Sequence, residues 1–157
     1  MFILVRAVTY ATFFVGFLFI LVPQRVLAAS GAGTPPSLGP WQAAGLGLGT
    51  LGAIVGAACI LTFVFVGRGT QAPFDPPREL VASGPYARLR NPMYLGAGAA
   101  MMGAALYYQS WALLAYVAAF MIAAHLFVVA YEEPALRQAF GRDYEAYCAR
   151  TRRWGIV

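Results

Sequence analysis

The chain has 157 residues, 61% of them hydrophobic and only 11% charged, with a formal net charge of +5. A soluble domain carries roughly 25% charged residues, so this composition points to a membrane protein. It excludes a disordered chain, a basic nucleic-acid-binding module and a disulfide-rich secreted scaffold.

The first apolar run, residues 7–22, extends to 3–27 and is then long enough to cross a ~30 Å hydrocarbon core. It predicts span one. Leu27, Ala28, Ala29 and Ser30 resemble a signal-peptide cleavage site, but a single Arg6 follows an apolar start and Arg25 intervenes, so an uncleaved span is the expectation. Residues 30–40 form a loop in which Pro35, Pro36 and Pro40 forbid a helix. Span two covers residues 41–66 without a charge. Its Gly45, Gly47, Gly49, Gly52 and Gly56 include small-xxx-small spacings that let another helix approach closely.

From Arg68 to Pro92 the composition changes: Arg68, Asp75, Arg78, Glu79, Arg88 and Arg90 appear among Pro73, Pro76, Pro77 and Pro85. This reads as an aqueous loop longer than a simple connector needs. Residues 93–108 make a short third apolar segment, about 24 Å as a helix, and residues 111–131 a fourth. Only Gln109 and Ser110 part them, which predicts a tight helical hairpin. Beyond Glu132 the chain is amphipathic, with Leu136, Phe140, Tyr144 and Tyr147 at three- and four-residue steps. That pattern predicts a helix lying against the membrane or the loop.

The expected fold is all-α: one polytopic membrane domain over residues 1–157, with about four transmembrane helices, a cytoplasmic loop and a C-terminal amphipathic helix. Four spans place ten of the eleven arginines on one side, with Arg25 alone opposite. By the positive-inside rule that side, including both termini, is cytoplasmic. The absence of Lys and the abundance of Ala and Gly suggest a GC-rich bacterial genome, hence a bacterial inner membrane. Cys59 and Cys148 lack metal-ligand spacing, so two free thiols and no metal site are expected.

None of the common soluble catalytic signatures occurs: there is no phosphate loop with Lys, no nucleophile elbow and no paired His ligands. Two polar clusters remain, residues 84–98 and 132–147, and a hairpin returns them to one membrane face. Gly84-Pro85-Tyr86, Arg90-Asn91-Pro92-Met93-Tyr94-Leu95-Gly96, Glu132-Glu133, Leu136, Phe140-Gly141, Tyr144, Tyr147 and Arg153 occur in that order. This series, over roughly residues 68–154, resembles the C-terminal half of the isoprenylcysteine carboxyl methyltransferase and phospholipid methyltransferase superfamily.

The resemblance implies a membrane-embedded methyltransferase that uses S-adenosylmethionine and a lipophilic acceptor: an isoprenoid or isoprenylcysteine-like carboxylate, or a phospholipid amine. It implies donor-binding roles for Gln71, Leu80, Val81, Tyr86, Asn91, Pro92, Met93, Tyr94, Gly96, Gly98, Glu132 and Glu133. Arg90 and Glu132 are the expected catalytic residues. Asn91 stands where the family usually has His, and Asn cannot titrate near neutral pH. Val128 stands one turn before the Glu pair, where isoprenylcysteine methyltransferases tend to carry a basic residue. His125, the one His, lies seven residues before Glu132. An ionisable residue inside a span is a functional candidate, so His125 joins Arg90 as an expected acceptor contact, with a hydrogen bond to a neighbouring helix as its alternative. The expected partners are a lipophilic or lipid substrate and membrane lipids, without nucleic acid or metal. The competing functions are an NADPH-dependent membrane reductase of the sterol-reductase type and a non-catalytic membrane scaffold.

Overall fold

A computed structural model describes residues 5, 9, 12–35, 37–67 and 79–155 of the chain. Gln71, Arg6 and Arg68 lie outside the described residues. Those described form helices and loops, with one isolated parallel bridge, Leu89 to Arg152, in place of any strand.

Helix α1, Thr12–Ser30, is long and apolar enough to cross a membrane. Pro23 lies inside it instead of ending it. Proline cannot donate the backbone bond of a regular turn, and the turn before it, Gly16–Leu21, is a π-helix that takes up the change in register. The helix stops where Gly31 turns left-handed at φ 68°. Helix α2, Pro40–Gly67, starts on a proline whose missing N–H costs nothing at that position, and the Gln42 side chain accepts from the Gly39 N–H at 3.1 Å. Its last turn, Phe63–Gly67, is again π-helical.

Helix α3, Pro92–Tyr108, is the expected short segment and the most enclosed one; Gly96, Gly98, Met101, Gly103 and Ala105 are all buried. Gln109, at φ 48°, ends it, and the Ser110 hydroxyl accepts from the Leu113 N–H at 3.3 Å to start α4, Trp111–Phe127. The two-residue hairpin is as expected. Beyond it the structure departs from a separate tail helix: a π turn, Val128–Glu132, carries α4 without interruption into α5, Glu133–Arg150. The continuous helix bends only at Gly141, where φ is 50° and ψ −120°. Its charge-free part ends at Tyr131, so Glu132 and everything after it lie beyond the membrane-crossing segment.

Side by side, the order is α2, α3, α4, α1, with α1 held on α4 in part by the Tyr116 hydroxyl donating to the Leu18 carbonyl at 2.9 Å. Three helices, α1, α2 and the one beginning at Trp111, are long and apolar enough to span a membrane. The protein is an integral membrane protein in which the short α3 is sheathed by its neighbours.

The α2/α3 seam is made of backbone against backbone. A Cβ built at Gly52 would lie 2.5 Å from the Gly96 carbonyl oxygen, and one at Gly103 would lie 2.5 Å from the Gly45 carbonyl oxygen and the Gly49 nitrogen. Gly47, on the same helix as Gly45, has nothing within 4 Å of such a Cβ. Overpacking a rigid contact costs ~1 to 3 kcal/mol. Thermal unfolding in detergent should therefore show Gly103→Ala clearly destabilised and Gly47→Ala unchanged or slightly improved; equal melting temperatures would mean that the seam can open without penalty.

Candidate active site

At the end of the hairpin where α3 begins and α4 runs into α5, a cavity of about 300 Å³ opens between the helices and the 80–91 loop. That volume is at the lower end for a small-molecule site. The floor is apolar, a cluster of Cys59, Val81 and Tyr86 with Phe63 and Met93 packed on it. Phe63 meets Tyr86 edge to face, ring centroids 5.2 Å apart. Burial pushes the Tyr86 phenol well above its ordinary pKa, so it stays protonated.

Two carboxylates adjacent in sequence serve different purposes. Successive helical residues point about 100° apart, and here that separates Glu132 from Glu133. Glu133 is 4% exposed and enclosed by arginines: Arg153 grips it with Nε to Oε1 at 2.7 Å and an Nη to Oε2 at 2.8 Å, Arg90 donates to Oε1 at 3.2 Å, and Arg137 stands 4.0 Å away. The hydrogen bonds from Arg153 hold the Glu133 carboxyl below the usual carboxylate range, reinforced by the charges of Arg153, Arg90 and Arg137. Among the described residues Glu132 accepts from the Tyr94 hydroxyl alone, at 3.2 Å, and it lines the cavity beside the apolar Val128 and Leu136.

Arg90 uses one Nη for both Glu133 and the Cys148 sulfur, at 3.1 Å. Its Nε is buried with no hydrogen-bond partner among the described residues. A buried donor without a partner costs ~1 to 3 kcal/mol, and such atoms in native structures call for a ligand or an ordered water.

The tail closes the arrangement. The Arg90 N–H donates to the Arg152 carbonyl at 2.9 Å, and the Asn91 side-chain amide donates to the Arg153 carbonyl at 3.2 Å. The buried Tyr147 hydroxyl donates to the Tyr86 carbonyl at 2.7 Å. Residues 151–154 thus strap the loop to the start of α5.

Of the residues expected from sequence, Leu80, Val81, Tyr86, Arg90, Asn91, Met93, Tyr94, Glu132 and Glu133 line this cavity. Pro92 is buried as the first residue of α3. Gly96 and Gly98 face elsewhere: a Cβ at Gly96 would meet the α2 backbone at 3.0 Å, and one at Gly98 the Met121 sulfur at 2.8 Å, so both are positions of helix packing. His125 is exposed outside the cavity wall, where its Nδ1 accepts from the Trp154 indole at 2.9 Å. The π turn between His125 and Glu132 breaks the helical phase that a seven-residue spacing assumes. Phe63 could not be singled out from sequence, since it sits within the apolar run of span two and carries no local signal. Arg153 enters the sequence reading as a motif position, whereas its fork is what immobilises Glu133.

Residues 41–143, about two-thirds of the chain, match the phospholipid methyltransferase family. The chain belongs to that family. No curated protein and no solved structure matches it. The family segment begins with α2, takes in the whole hairpin, and ends inside α5 just after the Gly141 bend. Membership gives the class, a membrane methyltransferase, and polar residues of the family segment converge on the cavity. The strap of residues 151–154 lies beyond that segment.

Proposed function

We propose that the protein transfers a methyl group from S-adenosylmethionine to a lipophilic acceptor, a phospholipid amine by preference, at the end of the hairpin facing the cytoplasm of a bacterial cell. The observation that carries this reading is the pairing of opposite polar groups in one apolar cavity: among the described residues the Glu132 carboxylate accepts from Tyr94 alone, and the buried Nε edge of Arg90 has no partner. The methionyl end of the donor has an ammonium and a carboxylate, and the two groups match it in charge. Aromatic rings suit a sulfonium, and Tyr86, Tyr94 and Phe140 are in the wall.

When bound, the donor supplies an electrophilic methyl carbon whose bond to sulfur breaks as the acceptor's lone pair forms a new one. The acceptor reacts as the free amine, its ammonium proton lost to water before it docks; the residues then hold the reactants in line and exclude water. Val128, 1% exposed in the cavity wall, offers no charge for an acceptor carboxylate, which favours the amine over an isoprenylcysteine-like acid. The ten arginines on one side favour the cytoplasmic placement.

Calorimetry on the detergent-purified protein tests the donor, and methyl incorporation into phosphatidylethanolamine vesicles tests the acceptor. S-adenosylmethionine should bind and NADPH should not; the reverse result would replace this reading with a reductase. Arg90 separates structure from turnover. Arg90→Lys keeps a positive charge beside Glu133 but lacks the Nε–H, so turnover should fall about tenfold or more while the melting temperature stays near wild type. Parallel loss of both would assign Arg90 to the Glu133 contact alone.

A further inference from the structure

Trp154 is placed to act on the Glu132 carboxylate through one intervening side chain, Tyr94. Its indole N–H is anchored on His125 Nδ1 at 2.9 Å, with the two rings 6.0 Å apart. The other edge of the indole meets the Tyr94 ring at 6.3 Å and 60°, edge to face. The Tyr94 hydroxyl in turn donates to Glu132 at 3.2 Å, the one such donor among the described residues. Three consecutive tail residues thus attach to three parts of the site: Arg152 to the loop backbone, Arg153 to Glu133, and Trp154 to α4 and to Tyr94.

A phenol at a helix start can rotate about two torsions, and only a neighbour packed on its ring selects one setting. The indole provides that neighbour, and the bond to His125 fixes the indole in turn. An imidazole that accepts at Nδ1 carries its proton on Nε2, which makes His125 an anchor for Trp154 at a distance from the methyl-transfer chemistry. The Arg153 fork leaves the tail little freedom to shift, so Trp154 arrives at Tyr94 from a fixed direction.

We propose that Trp154 is a positioning residue of the methyl-donor site: anchored on His125, it holds the Tyr94 hydroxyl on Glu132 and so sets the orientation of the carboxylate that binds the donor's cationic end. This rests on the reading of the cavity as an S-adenosylmethionine site. A role for a residue beyond the family segment makes the tail part of the site, more than a cover for it.

The test is a double-mutant cycle on the full-length protein, with S-adenosylmethionine affinity measured by calorimetry beside the melting temperature. Trp154→Ala and Tyr94→Phe should each weaken binding about five- to tenfold, and the double variant should be no weaker than either single one within about twofold, because both remove the same restraint. Trp154→Phe, which keeps a ring but no indole N–H, should recover part of the affinity. His125→Phe should weaken binding with Trp154 still present, and it replaces the Trp154→Ala arm if that variant does not fold. The exposed Arg142→Ala should leave affinity unchanged. Losses that multiply across Trp154 and Tyr94, or unaltered affinity in Trp154→Ala, overturn the positioning role while the donor site stands. Failure of the wild type to bind S-adenosylmethionine removes the donor-site reading and this one with it.

Discussion

Replacing Glu133 by Gln is expected to lower stability by about 3 kcal/mol, the range seen when one member of a buried charge cluster is removed and the rest are left behind. Three arginines converge on this carboxylate, two of them on the same oxygen. A neutral amide offers Arg153 one acceptor and one opposing donor. Arg153 would release the start of α5, and the strap would loosen with it. The pH dependence has a definite sign. A carboxyl whose folded value lies below its unfolded one contributes stability that is fully present above the ordinary value of about 4.3 and is lost as pH falls through the lower folded value. Wild-type protein should lose this increment on acidification below that point, and Glu133→Gln should lack that part of the acid limb. Melting temperatures at neutral pH and at the acid end decide the matter: identical acid sensitivity in the two proteins would show that the arginine cluster does not stabilise the fold.

Glu132→Gln should do the opposite. S-adenosylmethionine affinity should drop by ~1.5 to 3 kcal/mol, about ten- to a hundredfold, as a charge-assisted contact is replaced by a neutral one. Stability should be untouched, because Tyr94 can still donate to the amide oxygen and no arginine among the described residues pairs with Glu132. Calorimetry showing wild-type affinity in this variant would remove Glu132 from the donor site. Side by side, the two neighbours give a clear contrast: one variant unfolds more easily, the other folds normally and does not hold the donor.

Much of the fold was legible because lipid imposes simple rules. Charge-free runs had to be helices, Gln109 and Ser110 had to be a turn, and a hairpin had to return residues 84–98 and 132–147 to one end. The glycines of α2 announced a close neighbour, and α3 is that neighbour. What sequence could not show are the π turns among the described residues, at Gly16–Leu21, Phe63–Gly67 and Val128–Glu132, since no residue type marks a single widened turn. The consequence was an extrapolated helical phase that set His125 on the face of Glu132. The different environments of Glu132 and Glu133 were equally hidden, because they depend on where Arg153 arrives from twenty residues away. Trp154 had no signal at all: its partners Tyr94 and His125 are sixty and twenty-nine positions distant, and neither spacing is periodic.

The unbroken passage from α4 into α5 has a consequence for how the protein reads its membrane. Trp111, 83% exposed at one boundary, and Glu132 at the other are separated by twenty-one residues, about 31 Å of helix at 1.5 Å per residue. That is the thickness of the hydrocarbon layer. Without a hinge between the lipid-crossing part and the carboxylates, the helix works as a ruler, with an aromatic foot at one surface and the cavity at the graduation marking the other. A bilayer of different thickness tilts the ruler, and the tilt moves the cavity relative to the plane of the headgroups. The depth of the cavity relative to the headgroups is therefore written into the length of one helix and referenced to the surrounding lipid.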